Sequence, residues 1–228
     1  MAMPGVGCQR ASPARRTDRS VGELPFGPIG LIGCELMARK PTSDAHDRIL
    51  DVAADLFDRY GVHAVGMQQI IDELGYGKQL LYREFASKDK LVVAYLQRCT
   101  QDWDRTLESA AEKSGTPEEQ LVEVVRAVQA MAPGTRGCSL RNTHAEFPHP
   151  DHPAHRVSVE HFKTVREQLR ALARQTSAAN PDRLGDRIML IIDGLYASGS
   201  VLGASGAAAE AVDFARDVIR FETSVTVD

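Results

Sequence analysis

Lys78, Gln79, Tyr82 and Arg83 fall at the i, i+1, i+4, i+5 spacing that shares one face of a helix. Those side chains suit DNA. Gln pairs bidentately with adenine, and Lys or Arg with guanine, on the major-groove edges. Tyr82 and Lys88 suit phosphate, which fixes register without carrying sequence information. A second set, Cys138, His144 and Glu146, has the residue types of a nucleophile, a base and an orienter. Such triads are defined by geometry rather than adjacency, and no nucleophile elbow or phosphate loop accompanies them. A third set, His144, His149, His152, His155 and His161 with Glu146 and Asp151, offers imidazole and carboxylate ligands for zinc, nickel or copper. Its spacing fits no compact metal motif, and Pro148, Pro150 and Pro153 predict an extended loop there. No metal or cofactor is expected.

The elements that must position these groups are helices. Ile49, Ala53, Leu56, Phe57 and Tyr60 repeat at helical spacing, with Thr42, Ser43 or Asp44 as the cap and Gly61 as the stop. Met67, Ile70, Ile71 and Leu74 predict a short helix ended by Gly75 in a left-handed turn. Lys78–Phe85 predicts another, with Leu81 and Phe85 inward. Ser87-Lys-Asp-Lys opens a longer helix carrying Leu91, Tyr95, Trp103 and Leu107. Thr116-Pro-Glu-Glu is a capping box that starts a helix with Leu121, Val125 and Val128 inward, ended by Pro133-Gly134. Phe162, Val165, Leu169 and Leu172 mark the next. Asn180-Pro181-Asp182 opens one with Leu184, Ile188, Ile191 and Leu195 inward, and Ala211, Phe214, Val218 and Phe221 mark the last. No strand alternation or internal repeat competes, so the expected fold class is all-α.

Composition limits the partners. The 228 residues carry a net charge of −4, so any DNA affinity must come from a local surface. Even Met37–Arg98 holds equal numbers of basic and acidic residues. Cys8, Cys34, Cys99 and Cys138 show no paired spacing, which suits a reducing cytoplasm. The chain has no run of about 18 apolar residues, the length a membrane span needs. Residues 1–36 are rich in Gly, Pro, Ser and Arg without period, and are expected to be a disordered N-terminal extension. Arg15–Arg16 and Leu31-Ile32-Gly33-Cys34 have the outline of a twin-arginine lipoprotein signal, but Glu23, Pro25, Gly27 and Pro28 interrupt it. The functional chain is expected to start near Met37.

Two short helices around a glycine turn at about residues 66–85 have helix-turn-helix geometry. Gly61–Leu91, above all Leu81-Tyr82-x-x-Phe85-x-Ser87-Lys88-x-x-Leu91, resembles the N-terminal motif of the tetracycline-repressor (TetR) family, with the match running from about Ile49 to Leu91. The resemblance implies a three-helix DNA-reading head on a six-helix body. The expected domains are a head at 37–86, a ligand-binding and dimerisation body at 87–223, and a tail at 224–228. The DNA-contacting set implied is Arg39, Lys40, Gly66, Gln68, Gly77, Lys78, Gln79, Tyr82, Arg83 and Lys88. Departures thin that set. Gly66 and Gly77 stand where Thr and Ser are common, Gln79-Leu80 replaces a small pair, and Glu84 opposes a nearby phosphate.

Arg136–Phe147, followed by Asp151-His152-Pro153, resembles one subset of TetR-type ligand-binding domains. This implies a small-molecule pocket lined by Trp103, Met131, Cys138, Asn142, Glu146, Phe147, Phe162 and Asp193. Gly194, Gly199 and their small neighbours in the 188–203 helix suggest close packing at a two-fold dimer, with Ala207–Phe221 as the second helix; the alternative is a break in this helix near Ser198. The implied protein is a cytoplasmic homodimer, not membrane-bound, that acts as a repressor on a double-stranded palindromic operator and is released by a small-molecule effector. The alternatives are a thiol- or metal-responsive regulator using Cys138 or the His144–His155 region, and a cysteine-dependent enzyme. The first needs a Cys138 thiol activated by a helix N-terminus and Arg136.

Overall fold

A computed structural model describes residues 45–75, 77–132 and 136–224. The N-terminal extension, the Thr42–Asp44 cap, the Arg39-Lys40 arm and Pro133-Gly134 lie outside the described residues. Among those described there is no strand, and the fold is all-α. The helices are α1 (Ala45–Tyr60), α2 (Met67–Leu74), α3 (Lys78–Glu84), α4 (Lys88–Lys113), α5 (Pro117–Met131), α6 (Ser139–Glu146), α7 (Pro153–Ala173), α8 (Pro181–Leu202) and α9 (Ala211–Ser224), with a 3-10 turn at Ala207–Glu210 before α9.

Local chemistry sets the boundaries. Ser87 accepts from the Lys90 N–H at the start of α4, Thr116 from Glu119 N–H at α5, and Asn180 from Arg183 N–H at α8. Glu119 closes its box one residue early, on Gly115 N–H at 3.0 Å. Pro153 does not extend the preceding loop. It occupies the first turn of α7, where its missing N–H costs nothing, so His155 and His161 are helical.

Two apolar cores form. One joins α4, α5, α7, α8 and α9 through residues such as Leu121, Leu169, Ile188 and Ile219. The other joins Ile49, Phe57, Ile70, Leu81 and Phe85 to Leu91, Tyr95, Leu96, Leu140 and Ala154, so the core of the head continues past residue 86 into α4, α6 and α7. α7 and α8 approach so closely at Gly185 that a Cβ there would stand 2.7 Å from Arg170 Cα. Arg166 and Arg170 each grip Asp186 with two hydrogen bonds across the same seam. α8 and α9 are stapled by Glu222, which is fully buried and receives Arg183 and Arg187.

Two expected inner faces differ. Tyr60 is 54% exposed. It ends α1, where Gly61 turns the chain, and the Arg59 guanidinium lies over its ring at 5.6 Å. On α9 the buried residues are Ala211, Val212, Ala215, Ile219 and Glu222, so Ala211 is inward as expected and beyond it the buried stripe lies one position on from Phe214, Val218 and Phe221. Phe214 and Phe221 are more than half exposed and Val218 partly buried. With Leu190 and Gly194 of α8 they line an outward groove.

Candidate nucleic-acid interface and interior cavity

The α3 helix is held from behind. Ile70 and Ile71 of α2 are buried against α1. Gly75 takes φ +67° and returns its N–H to Ile71 O at 3.2 Å, which turns the chain sharply toward α3. Leu81 and Phe85 anchor α3, with the Phe85 ring stacked on His46 at 4.5 Å. The opposite face then carries Lys78, Gln79, Tyr82 and Arg83 together in solvent. Lys78 Nζ lies 5.5 Å from the centre of the Tyr82 ring.

The rest of the expected DNA set is distributed differently. Gly66 and Gly77 are exposed N-caps without a side-chain hydrogen bond. Gln68 donates to Asp72 at 2.8 Å. Arg83 is tied to Glu84, its Nη2 2.9 Å from Oε1, so part of its charge is offset. Lys88 stands apart from the α3 set: its ammonium donates to His63 O at 3.3 Å. Burial lowers its pKa, against the nearby Glu146 carboxylate, which raises it.

His63 belongs to a joint between the turn ahead of α2 and the end of α6. Its backbone N–H donates to Glu146 Oε2 at 2.6 Å, and its Nε2 lies 2.6 Å from Glu146 O. The Phe147 ring is stacked between His63 and His152, at 4.4 and 4.2 Å. Gly61, at φ +85°, lets Glu146 come so near that an added Cβ would stand 2.8 Å from Oε1. Glu146 and Phe147, expected in the pocket, are therefore parts of this joint. Asn142 is also elsewhere, donating to Arg136 O at 2.9 Å.

A cavity of about 260 Å³ lies between α1, α4, α6, α7 and α8. Of the expected lining, Trp103, Met131, Cys138, Phe162 and Asp193 face it. Asp58, Asp102, His161 and Tyr196 line it as well and were not anticipated. Nothing in the spacing of Asp58 distinguishes it from the other acids of α1. His161 does carry a signal, a histidine at helical spacing from Val165 and Leu169.

The cavity does not hold an activated thiol. Cys138 caps α6, and backbone N–H groups there lower its pKa, but burial outweighs them and raises it. Burial, followed by the Asp58 and Asp102 carboxylates, pushes the Cys99 thiol up to about 12. Cys138, His144 and Glu146 do not form a triad: Glu146 holds His63 and the His144 ring packs against His155 at 4.6 Å. Among the described residues no three His, Cys, Asp or Glu side chains gather to hold a metal ion. No helix among them is long and apolar enough to cross a membrane.

Residues 49–95 match the model for bacterial regulatory proteins of the tetR family. The fold superposes on a TetR-family transcriptional regulator from Streptomyces coelicolor with a TM-score of 0.75, at 27% identity over 79% of this chain and 96% of that one. A TetR-type regulator from Streptomyces avermitilis superposes with a TM-score of 0.64, at 26% identity over 77% and 98%. The helix-turn-helix regulator BetI of Brucella melitensis is 24% identical over 197 residues, 85% of this chain and 95% of that one. The helix-turn-helix activator FasR of Mycolicibacterium smegmatis is 40% identical over 60 residues; these make up 26% of this chain and only 27% of FasR.

Proposed function

We propose that this chain, which belongs to the tetR family of bacterial regulatory proteins and is a helix-turn-helix transcriptional regulator, acts as a homodimeric repressor released from a palindromic operator by a small-molecule effector. The observation that carries this reading is the placement of α6. Its N-cap, Cys138, lines the cavity, and its last residue, Glu146, holds His63 just ahead of α2. Eight helical residues span about 12 Å, so one short rigid element touches both the cavity and the reading head.

A ligand can act only through different affinities for DNA-competent and DNA-incompetent states. An occupant that displaces the start of α6 changes the seat of His63, and with it the pose of α2 and α3. On this reading Gln79 and Lys78 meet base edges, and Tyr82 meets phosphate. Lys88 acts through the joint. The outward groove between α8 and α9, with Leu190, Phe214 and Phe221 exposed, supports dimerisation, since a large exposed apolar patch marks an interaction surface. A two-fold dimer sets two heads on a palindrome.

Sedimentation of the protein with a selected operator duplex, before and after addition of a cavity ligand, tests this. Dimeric complexes that dissociate on ligand addition support the reading. A monomeric complex, or one indifferent to a ligand shown to occupy the cavity, contradicts it.

A further inference from the structure

The cavity has a charge bias that narrows its occupant. Its charged lining is Asp58, Asp102 and Asp193, with neither Lys nor Arg. Arg141 binds Asp193 at 2.5 Å without lining the cavity itself, and Arg105 pairs with Asp102 at 3.0 Å. Asp58 differs: it accepts from the Tyr95 and Ser139 hydroxyls and has no ion-pair partner among the described residues. Hydroxyls orient a carboxylate but leave its charge in place.

The other walls suit a cation with an apolar body. Trp103 and Tyr196 supply aromatic rings, whose faces attract positive charge, while the Phe162 ring already carries the Arg141 guanidinium at 4.5 Å, and Met131 and Met189 supply polarisable contact. His161 adds an independent signal. It is 7% exposed, lines the cavity, and its buried Nδ1 has no hydrogen-bond partner. Burial lowers its pKa, which favours the neutral ring. In the Nε2-protonated tautomer that ring offers Nδ1 as an acceptor. The volume of about 260 Å³ lies just below the range of roughly 300–1,000 Å³ that holds drug-sized ligands. The occupant is small.

We propose that this cavity selects a small organic cation, a protonated amine on an aromatic or similarly compact apolar body, with Asp58 as its main counter-charge and the neutral His161 ring in the wall beside it. The inference deepens the effector reading above and rests on it. An anionic ligand of the same shape meets three carboxylates and no cationic lining residue. A neutral one gains the walls and forgoes the field.

Trp103 is the only tryptophan of the chain and lines the cavity, so its fluorescence reports occupancy. The test titrates the protein with 2-phenylethylammonium, 2-phenylethanol and 3-phenylpropanoate. The expected result is saturable binding of the amine at least tenfold tighter than the propanoate. Asp58→Asn keeps an acceptor for both hydroxyls and is expected to cut that ratio at least threefold, leaving the alcohol unchanged. Asp102→Asn serves as a second variant if the first does not fold. The proposal is overturned if the amine does not bind, if the propanoate matches it, or if the folded variants keep the full ratio. Anisotropy of labelled operator DNA, read in parallel, separates the two readings. Amine occupancy without a change in DNA affinity sinks the effector role and leaves the charge selectivity. Release by the alcohol or propanoate in preference to the amine does the reverse.

Discussion

The backbone N–H of His63 donates to the carboxylate of Glu146 at 2.6 Å, across 83 residues of sequence. One carboxylate of the body thus holds the turn between α1 and α2. A hydrogen bond to a charged group contributes about 1.5–3 kcal/mol. Glu146→Ala is expected to speed amide exchange at residues 63–67 by roughly tenfold or more, the factor that about 1.4 kcal/mol represents. Exchange within α8 should be unchanged. Hydrogen-exchange mass spectrometry checks this, and unchanged protection of the turn would remove Glu146 from the coupling route.

Gly61 is the other half of that contact. An alanine there meets a left-handed backbone, costing roughly 1–2 kcal/mol, and places Cβ 2.8 Å from Glu146 Oε1. Gly61→Ala is expected to lower Tm by about 2–8 °C in a chain of this size. Because part of the cost is the contact with Glu146, Gly61→Ala with Glu146→Ala should be less destabilised than the sum of the single changes. Additive losses would show that backbone strain alone is responsible.

The proposed function divides the exposed face of α3 into reading and holding. Gln79→Ala should change sequence preference, whereas Tyr82→Ala should weaken all operator variants alike. Glu84→Gln frees Arg83 from its 2.9 Å ion pair. It should therefore tighten DNA binding several-fold and steepen its salt dependence, by about one phosphate contact per protomer. Anisotropy titrations at two or more salt concentrations measure both. Weaker binding by Glu84→Gln would mean that the Arg83–Glu84 pair positions α3.

The apolar groove between α8 and α9 makes its own prediction. Leu190 and Phe214 are 69% and 57% exposed in the single chain, so a charge there costs the monomer little. Leu190→Glu or Phe214→Glu should abolish the dimer in sedimentation velocity while leaving Tm of the monomer nearly unaltered. A dimer that persists in both variants would move the interface elsewhere.

Glu222 ties α8 to α9 in a pH-dependent way. Hydrogen bonds from Arg183, with help from Arg187, hold its carboxyl below the usual glutamate range. A lowered folded-state pKa contributes stability that is complete above the unfolded value, about 4.3, and fades as pH falls through the lower folded value. The stability lost in Glu222→Gln should therefore be largest at neutral pH and shrink below about pH 4. Thermal denaturation at several pH values checks the sign, and a gap that widens on acidification contradicts it.

Much of this architecture is legible in the sequence because it rests on local rules. The caps at Ser87, Thr116 and Asn180, the left-handed Gly75 and the Leu81–Phe85 anchor each depend on a few adjacent residues. The failures share a different cause. α9 carries two adjacent apolar stripes, and periodicity alone does not say which one faces its own body. Pro153 can end a loop or begin a helix, and only the first turn of α7 decides. Asp58 and Tyr196 reach the cavity from helices 138 residues apart in sequence. Glu146, beside cavity residues in sequence, is carried to the far end of α6 and onto the head.

On the proposed function α3 reads DNA for this regulator. The most direct measurement is capture of genomic fragments by the purified protein, followed by sequencing, in parallel with Tyr82→Ala. The expected result is one enriched palindromic sequence that the variant fails to recover. Fragments with no shared sequence, or the same enrichment by Tyr82→Ala, would contradict it.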